Sequence, residues 1–245
     1  GDNYGNRVDR FLAAVAYLDG VRPSLVMCRG YYTRAALVAW DWRDGRLTRR
    51  WTFDSDDGTP GHSTYRGQGA HCLTIGDVDD DGRDEIIYGA AAIDDDGRAL
   101  YNTRLGHGDA LHLSDMDPDR PGQEVWMVHE DPGSYGAHGS SLHDARTGAI
   151  LHGISGGNTD VGRGVAYDID PRHRGYETWS ARGGLYSAQG TFISTARPGP
   201  MNFAVWWDAD LLREHLDGTT ISKWNWNTNT STPLLSATGA ASNNG

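Results

Sequence analysis

The chain has only two cysteines, Cys28 and Cys72, among its 245 residues. Two buried thiols and one disulfide between neighbouring repeats both fit this pair, so the cysteine content does not settle the compartment. No apolar run approaches the roughly 20 residues that a membrane span requires, and no signal peptide is visible. The chain begins at Gly1 rather than at a methionine, so any leader peptide could already be missing from this sequence. We therefore expect no membrane association.

Basic residues are also few, with 22 Lys and Arg against 33 Asp and Glu and a net charge of −11. This balance argues against binding to nucleic acid or to an anionic membrane. It is compatible with an anionic substrate, because bound cations can neutralise several aspartates locally. The chain also lacks a Gly-x-Ser-x-Gly elbow, a P-loop, a dinucleotide fingerprint and a Cys-x-x-Cys pair. Its chemistry must therefore depend on other residues.

The residues that are abundant favour short strands joined by tight turns: 33 glycines, nine tryptophans and eleven tyrosines. Hairpin signals recur at roughly the spacing of a four-stranded propeller blade. They are the pairs Asp44-Gly45, Asp96-Gly97, Thr147-Gly148 and Gln189-Gly190. This recurrence predicts five four-stranded units, at about 11–54, 70–103, 109–153, 163–196 and 201–240.

The predicted fold class is all-β, a β-propeller, with residues 1–245 in a single domain. Five blades alone would make a strained ring, so we expect about five blades of a larger ring, truncated at both ends. One stretch, Asp208 to Leu216, predicts a short helix. The tryptophans mostly fall on strand patterns, where core packing is the usual role, although one or two could stack on a sugar ring.

Three acidic loops lie between pairs of apolar runs, each with alternating aspartates, a glycine and a later glutamate. Such spacing is typical of a loop that folds its oxygens around calcium. An ordinary acidic turn is the alternative, since Asp and Gly form turns anyway, and the third loop carries Arg172 where another acid is expected. The candidate ligands are Asp77, Asp79, Asp81, Arg83 (through its carbonyl) and Glu85; Asp115, Asp117, Asp119 and Glu124; and Asp168, Asp170 and Glu177.

A second candidate metal site combines His71, His107, Asp109 and Glu130. These residues lie at strand ends or just before predicted inner strands, which face the central cleft of a propeller. Imidazole and carboxylate groups from adjacent blades make a plausible open site with nitrogen and oxygen ligands. Structural hydrogen bonding by the histidines is the alternative. Arg163, between two glycines, could clamp a carboxylate in bidentate fashion or form a structural salt bridge.

Longer motifs carry a resemblance that covers the whole chain. They are Gly1-Asp-Asn-Tyr-Gly-Asn-Arg-Val-Asp-Arg-Phe-Leu12, Gly30-Tyr-Tyr32, Gly106-His-Gly-Asp-Ala-Leu-His112, Asp160-Val-Gly-Arg-Gly164 and Ser242-Asn-Asn-Gly245. The chain thereby resembles the bacterial rhamnogalacturonan lyases of polysaccharide lyase family 11. The resemblance implies an eight-bladed β-propeller that binds several calcium ions and cleaves the rhamnogalacturonan I backbone of pectin by β-elimination.

The resemblance also implies roles for individual residues. His71, His107, Asp109 and Glu130 correspond to the cleft metal ligands, and Arg163 corresponds to the arginine implicated in catalysis. Asn244 and Gly245 correspond to the substrate-binding pair, after which the family continues with a catalytic lysine. We therefore expect an internal piece of a longer enzyme, with blades on both sides, that is inactive as a lyase by itself.

The expected protein is a secreted, monomeric, calcium-dependent lyase whose partner is a pectic polysaccharide. The alternative function is a non-catalytic, calcium-stabilised propeller that binds carbohydrate or protein. The cluster of His71, His107 and Glu130 distinguishes the two, because a purely structural calcium propeller has no reason to carry it.

Overall fold

The computed structural model describes residues 10–241. Asn244 and Gly245, the predicted substrate-binding pair, lie outside the described residues. The described chain contains twenty β-strands, which are listed here in order. They are β1 Phe11–Ala16, β2 Ser24–Arg29, β3 Ala36–Arg43, β4 Arg46–Asp54, β5 Gly69–Gly76, β6 Glu85–Gly89, β7 Ala91–Ile93, β8 Ala99–Asn102, β9 Ala110–Ser114, β10 Glu124–Val128, β11 Ser140–Asp144, β12 Ile150–Ile154, β13 Gly164–Tyr167, β14 Glu177–Ser180, β15 Leu185–Ser187, β16 Phe192–Ser194, β17 Phe203–Val205, β18 Glu214–Asp217, β19 Thr220–Asn225 and β20 Thr230–Ser236.

These strands form five antiparallel sheets, each containing four strands that are consecutive in the chain. The predicted all-β class and the five four-stranded units are confirmed. The predicted hairpin turns also connect the strands as expected. Between β3 and β4, for example, Asp44 and Gly45 have φ angles of 50° and 75°. A two-residue hairpin turn favours such positive angles because they match the twist of the flanking strands.

The apolar core lies between successive sheets rather than within one layer. In β6, Ile86 packs with residues of the first sheet, whereas Ile87 packs with residues of the third sheet. Trp126 and Trp179 are fully buried in the two clusters that follow along the chain. Because alternate side chains of a strand point to opposite faces, a sheet that is covered on both faces buries every position of its strands. All five residues of β6 and of β10 are accordingly buried.

The prediction of a helix from Asp208 to Leu216 is wrong. Residues 208–212 form bends, and Glu214 begins β18. The backbone N–H groups of Trp207 and Asp208 donate to the Glu214 carboxylate, which holds this segment as a loop. The helices of the described chain are a 3₁₀ turn at His62–Tyr65 and a four-residue helix at Pro132–Tyr135.

Two further features answer questions that the sequence left open. Cys28 and Cys72 are free thiols, so the alternative of a disulfide between neighbouring repeats does not hold. In the described part of the chain, no helix has the length and apolar character that crossing a membrane requires.

Candidate functional site

Two neighbouring strands, β5 and β9, bring the predicted cleft residues together. His71 lies on β5, and the segment before β9 carries His107 and Asp109. A parallel bridge pairs Ala70 with Gly108, and the His71 N–H donates to the Gly108 carbonyl at 3.2 Å. A Cβ atom on Gly108 would lie 1.7 Å from the Val128 carbonyl oxygen, so only glycine allows this close approach. The site therefore depends on backbone contacts between two sheets.

The side chains of His71, His107 and Asp109 converge. Each offers a ligand atom, and these three atoms lie within 4.8 Å of one another. The His71 Nε2 atom is 3.2 Å from an Asp109 carboxylate oxygen. Glu130 follows β10, and its carboxylate lies 3.4 Å from His107 Nε2. The structure thus brings together all four residues of the predicted cleft site.

Hydrogen bonds orient both imidazoles. His107 Nδ1 lies 2.5 Å from the Gly69 carbonyl oxygen. Because a carbonyl can only accept, Nδ1 carries the proton and Nε2 directs its lone pair toward Glu130. A backbone bond of this kind commonly sets the tautomer of a metal-ligating histidine. The Tyr32 hydroxyl lies 3.0 Å from His71 Nε2, and its ring packs against that of His107.

Burial sets the protonation of the central pair. It lowers the pKa of His71 and raises the pKa of Asp109, because both charged forms lose water. Each shift favours the neutral form of its group when no cation is bound. A neutral imidazole is the form that can act as a metal ligand.

Arg163 lies beside the same cluster, in the turn before β13. It lines an open cavity of about 220 Å³ together with Asp109, His112 and Phe203. Its charge acts on both His71 and Asp109. Among residues 10–241, no carboxylate forms an ion pair with its guanidinium within 4.0 Å. The described residues thus leave this guanidinium available for an anionic ligand.

His129, by contrast, has a structural role. It is fully buried, with one ring nitrogen 3.0 Å from the Ser141 hydroxyl and the other 3.2 Å from the Gly106 carbonyl oxygen. Burial lowers its pKa to about 4, so the ring is neutral near pH 7.

The acidic loops lie at the opposite end of the first strand of each sheet, and the 77–85 loop has the most complete set of ligands. Ligand atoms of Asp77, Asp79 and Glu85 lie within 4.8 Å of one another, as do those of Asp81, Glu85 and Asp95. Glu85 accepts a hydrogen bond from the Val78 N–H through one oxygen, at 2.8 Å. Its other oxygen is buried and has no hydrogen-bond partner. Burial raises the pKa of Glu85 to about 8.

The predicted carbonyl ligand of this loop belongs to Arg83. The structure gives this residue a further contact, since its guanidinium lies 3.1 Å from an oxygen of Asp95. Gly82, just before it, has a φ of 87°, which permits the sharp turn of the loop. Asp81, the third of the alternating aspartates, thus lies close to Glu85 and Asp95, across a turn that is centred on this glycine.

The 115–124 loop repeats the buried glutamate but not the gathering of the aspartates. One oxygen of Glu124 accepts hydrogen bonds from two loop N–H groups, and Arg120 lies 3.6 Å from the other. Asp117 accepts a hydrogen bond from Gln189 at 2.6 Å. Asp119 pairs with Arg174, outside the loop. Asp115 precedes Met116 at the end of β9 and joins no group of three candidate ligands in the described chain.

The 168–177 loop also contains a basic side chain. Glu177 accepts hydrogen bonds from two loop N–H groups, both at 2.9 Å. Arg172 binds Asp170 through two hydrogen bonds, at 2.8 and 2.6 Å. One carboxylate oxygen of Asp168 is buried without a hydrogen-bond partner. The arginine that interrupts the acidic pattern in the sequence thus neutralises one of the three acids from within the loop.

A fourth acidic loop was missed in the sequence. Ligand atoms of Asp208, Asp210 and Glu214 lie within 4.8 Å of one another. The signal was present, because the two alternating aspartates follow an apolar stretch and precede a glutamate. The helical appearance of the intervening residues concealed it.

The structure thus describes an all-β chain of sequential four-stranded sheets, with an imidazole and carboxylate cluster beside a cavity and acidic loops at the far strand ends. All 245 residues match a family model described as rhamnogalacturonan lyase family 11, C-terminal domain. The chain therefore belongs to this family, and the resemblance seen in the sequence is confirmed.

Named relatives are close in sequence and structure. The chain is 56% identical over 245 residues to rhamnogalacturonan endolyase YesW of Bacillus subtilis, covering 100% of this chain and 38% of that protein. It is 53% identical over 261 residues to rhamnogalacturonan exolyase YesX of the same organism, covering 100% and 42%. A solved rhamnogalacturonan lyase of Bacillus licheniformis matches with a TM-score of 0.95 and 56% identity, over 100% of this chain and 41% of that one. The chain thus spans about two fifths of its relatives' length.

Proposed function

We propose that the chain forms part of a calcium-dependent lyase that cleaves the rhamnogalacturonan I backbone of pectin by β-elimination. The observation that carries this proposal is the convergence of His71, His107 and Asp109 beside the cavity that Arg163 lines. Imidazoles and carboxylates are poor core fillers unless they hold something. The names of the relatives supply the substrate class, because both curated relatives are rhamnogalacturonan lyases.

The residues present fit a bound cation. The lone pair of His107 Nε2 and the Glu130 carboxylate face each other at 3.4 Å, and the His71 and Asp109 groups meet at 3.2 Å. In the 77–85 loop, the buried Glu85 oxygen that lacks a hydrogen-bond partner points to a cation among the aspartates. A cation held by these cleft residues would stabilise the negative charge that develops on the substrate carboxylate.

The residues of this chain then bind and orient the galacturonate unit. Arg163 holds its carboxylate, which makes the proton on the neighbouring C5 more acidic. Removal of that proton sends its electron pair into a new C4–C5 double bond, and the C4–oxygen bond breaks with its electrons on the leaving oxygen. We assign the proton transfer to the lysine that follows Gly245 in the family. Asn244 and Gly245 are assigned to substrate binding on the same basis.

We also propose that the five sheets are blades of a propeller. The inner strands are neighbours in sequence order, since β1 contacts β5, β5 contacts β9, and β9 contacts β13. Core clusters fill the space between each sheet and the next. Both features are typical of blades arranged around an axis. We propose in addition that the enzyme is secreted, since its proposed substrate is a pectic polysaccharide, and that it is monomeric.

The test measures the absorbance of unsaturated uronate as rhamnogalacturonan I is cleaved. The chain is assayed alone and within a protein of its relatives' length, with EGTA or with added calcium. We expect the longer protein to lose activity in EGTA and to regain it with calcium. R163Q should lower its activity by about 10²-fold or more, whereas the matched control R98Q, at an exposed hairpin turn, should not. Activity that EGTA leaves unchanged would contradict calcium dependence, and substrate binding without cleavage would favour the non-catalytic alternative.

A further inference from the structure

The 208–214 loop differs from the other acidic loops in having an ammonium group at its centre. Lys223 on β19 contacts all three carboxylates of the loop. Its Nζ atom lies 2.5 Å from Asp210 and 2.9 Å from Glu214, and it also binds Asp208. An ammonium group has three N–H donors and no acceptor. Two of these donors form hydrogen bonds with Asp208 and Asp210, and the contact with Glu214 is an ion pair, so the ammonium supplies positive charge to all three carboxylates.

The position of Lys223 follows from strand pairing. His215 on β18 pairs with Ser222 on β19, which places Lys223 directly opposite Glu214. Glu214 is the buried glutamate that begins the second strand of its sheet, and its side chain is 1% exposed. Lys223 is also the only lysine among the 245 residues. Strand pairing thus directs the ammonium group of Lys223, the only lysine, at the buried carboxylate of Glu214.

The equivalent position in the other sheets holds different residues. Ile86 pairs with Ile93, which places Asp94 opposite Glu85. Glu124 pairs with Asp144, and Glu177 pairs with Ser187. The 77–85 loop therefore faces a further acid where the 208–214 loop faces a lysine.

The two loops consequently differ in their need for an outside cation. Arg83 contacts Asp95 at 3.1 Å and Asp81 at 4.0 Å, at the edge of the 77–85 loop. Within residues 10–241, however, no basic side chain lies within 4.0 Å of Asp77, Asp79 or Glu85. The buried oxygen of Glu85 that faces the loop lacks a hydrogen-bond partner. The corresponding oxygen of Glu214 also lacks a hydrogen bond, but it forms an ion pair with the Lys223 ammonium at 2.9 Å, whereas no cationic group of the described residues lies beside the Glu85 oxygen. A buried carboxylate without a partner is costly, and either a metal ion or an internal cation removes that cost.

We propose that the Lys223 ammonium is the resident cation of the 208–214 loop, so that this loop binds no calcium while the 77–85 loop does. The statement about the 77–85 loop rests on the proposed calcium dependence, whereas the statement about Lys223 does not. Replacing the lysine should convert the 208–214 loop into a calcium site, because its three carboxylates would then face one another without a counterion.

The experiment counts the calcium ions bound per chain by equilibrium dialysis against labelled calcium. K223M should bind one more ion than the wild-type chain. Terbium bound at the new site should also show luminescence sensitised by Trp207, which directly precedes Asp208. The double variant K223M/D210N should return to the wild-type number, because it lacks a ligand of the new site. An unchanged number of ions in K223M would overturn the proposal.

A second variant keeps the test decisive if K223M does not fold. D210N in the wild-type background changes an aspartate whose side chain is 51% exposed. It should leave the number of calcium ions unchanged, because Lys223 already occupies the loop. Loss of one ion in D210N would show that calcium displaces the lysine, and would overturn the proposal. If the wild-type chain binds no calcium but K223M binds one ion, the calcium dependence of the proposed function fails and the role of Lys223 stands.

Discussion

Replacing Glu85 by glutamine should change the stability of the chain in a way that depends on calcium. Glu85 is fully buried, and its carboxylate accepts the Val78 N–H while its other oxygen lacks a hydrogen-bond partner. Burial first, and then the charges of nearby aspartates, raise its pKa from an ordinary 4.5 to about 8. The folded chain without calcium therefore binds a proton at Glu85 more tightly than the unfolded chain does.

The pH window follows from these two pKa values. Below about pH 4.5 the carboxyl is neutral in both states and costs nothing. As the pH rises toward 8, the unfolded state gains the free energy of ionisation while the folded state does not, so stability falls. At pH 7 the difference of about 2.5 pH units from 4.5 corresponds to roughly 3 kcal/mol. E85Q removes this cost, while its side-chain oxygen can still accept the Val78 N–H.

We expect E85Q to be more stable than the wild-type chain by about 1–3 kcal/mol in EGTA at pH 7. That corresponds to a rise in melting temperature of several degrees, at roughly 2–4 °C per kcal/mol for a chain of this size. Calcium at 100 times its Kd should stabilise the wild-type chain by about 2.7 kcal/mol. It should stabilise E85Q much less, because a charged ligand is missing. The advantage of the variant should therefore shrink or reverse.

Thermal unfolding followed by circular dichroism, in EGTA and in calcium, measures both differences. The matched control is E214Q, because Glu214 has the same place at the start of a strand and accepts hydrogen bonds from its own loop. Its partner is the lysine on β19, so E214Q should destabilise the chain equally with and without calcium. If E85Q lowered the melting temperature by the same amount in both conditions, Glu85 would not be a calcium ligand and the reasoning would be refuted.

Three further predictions concern the fold and the cleft. Burial lowers the pKa of His143 to about 3 and that of His152 to about 4. The free energy of unfolding should therefore fall as the pH drops from 6.5 toward 4, because only the unfolded chain takes up these protons. Acid titration followed by circular dichroism measures this change, and a flat profile would contradict it. G108A should force apart the backbones at Val128, lowering both the melting temperature and the affinity for calcium in the cleft, and a variant with unchanged values would show that the strands adjust freely. W179A should cost about 3–5 kcal/mol in urea unfolding, because the indole is fully buried between two sheets, whereas a loss below 1 kcal/mol would indicate a loosely packed core.

The local features of this protein were predictable from its sequence. Turns such as Asp44-Gly45 depend on the positive φ angles of two adjacent residues, and these turns recur at a regular spacing, so the five four-stranded units could be located within a few residues. Three of the four acidic loops were recognised for the same reason, because their aspartates alternate over a few positions. The cleft cluster was recognised from histidines at strand ends, and the structure brings His71, His107 and Asp109 together.

Other features depended on residues that meet only in the folded chain. The segment from Asp208 to Leu216 has a helical pattern, yet Glu214 binds loop N–H groups and pairs β18 with β19, and these tertiary contacts override a weak local preference. The sequence likewise could not show that the 208–214 loop has its own cation. Lys223 lies beyond its loop on the next strand, and only the register of that strand directs its ammonium to Glu214. Register is set by packing across sheets, so the sequence determined the loops and the tertiary structure decided how each loop is neutralised.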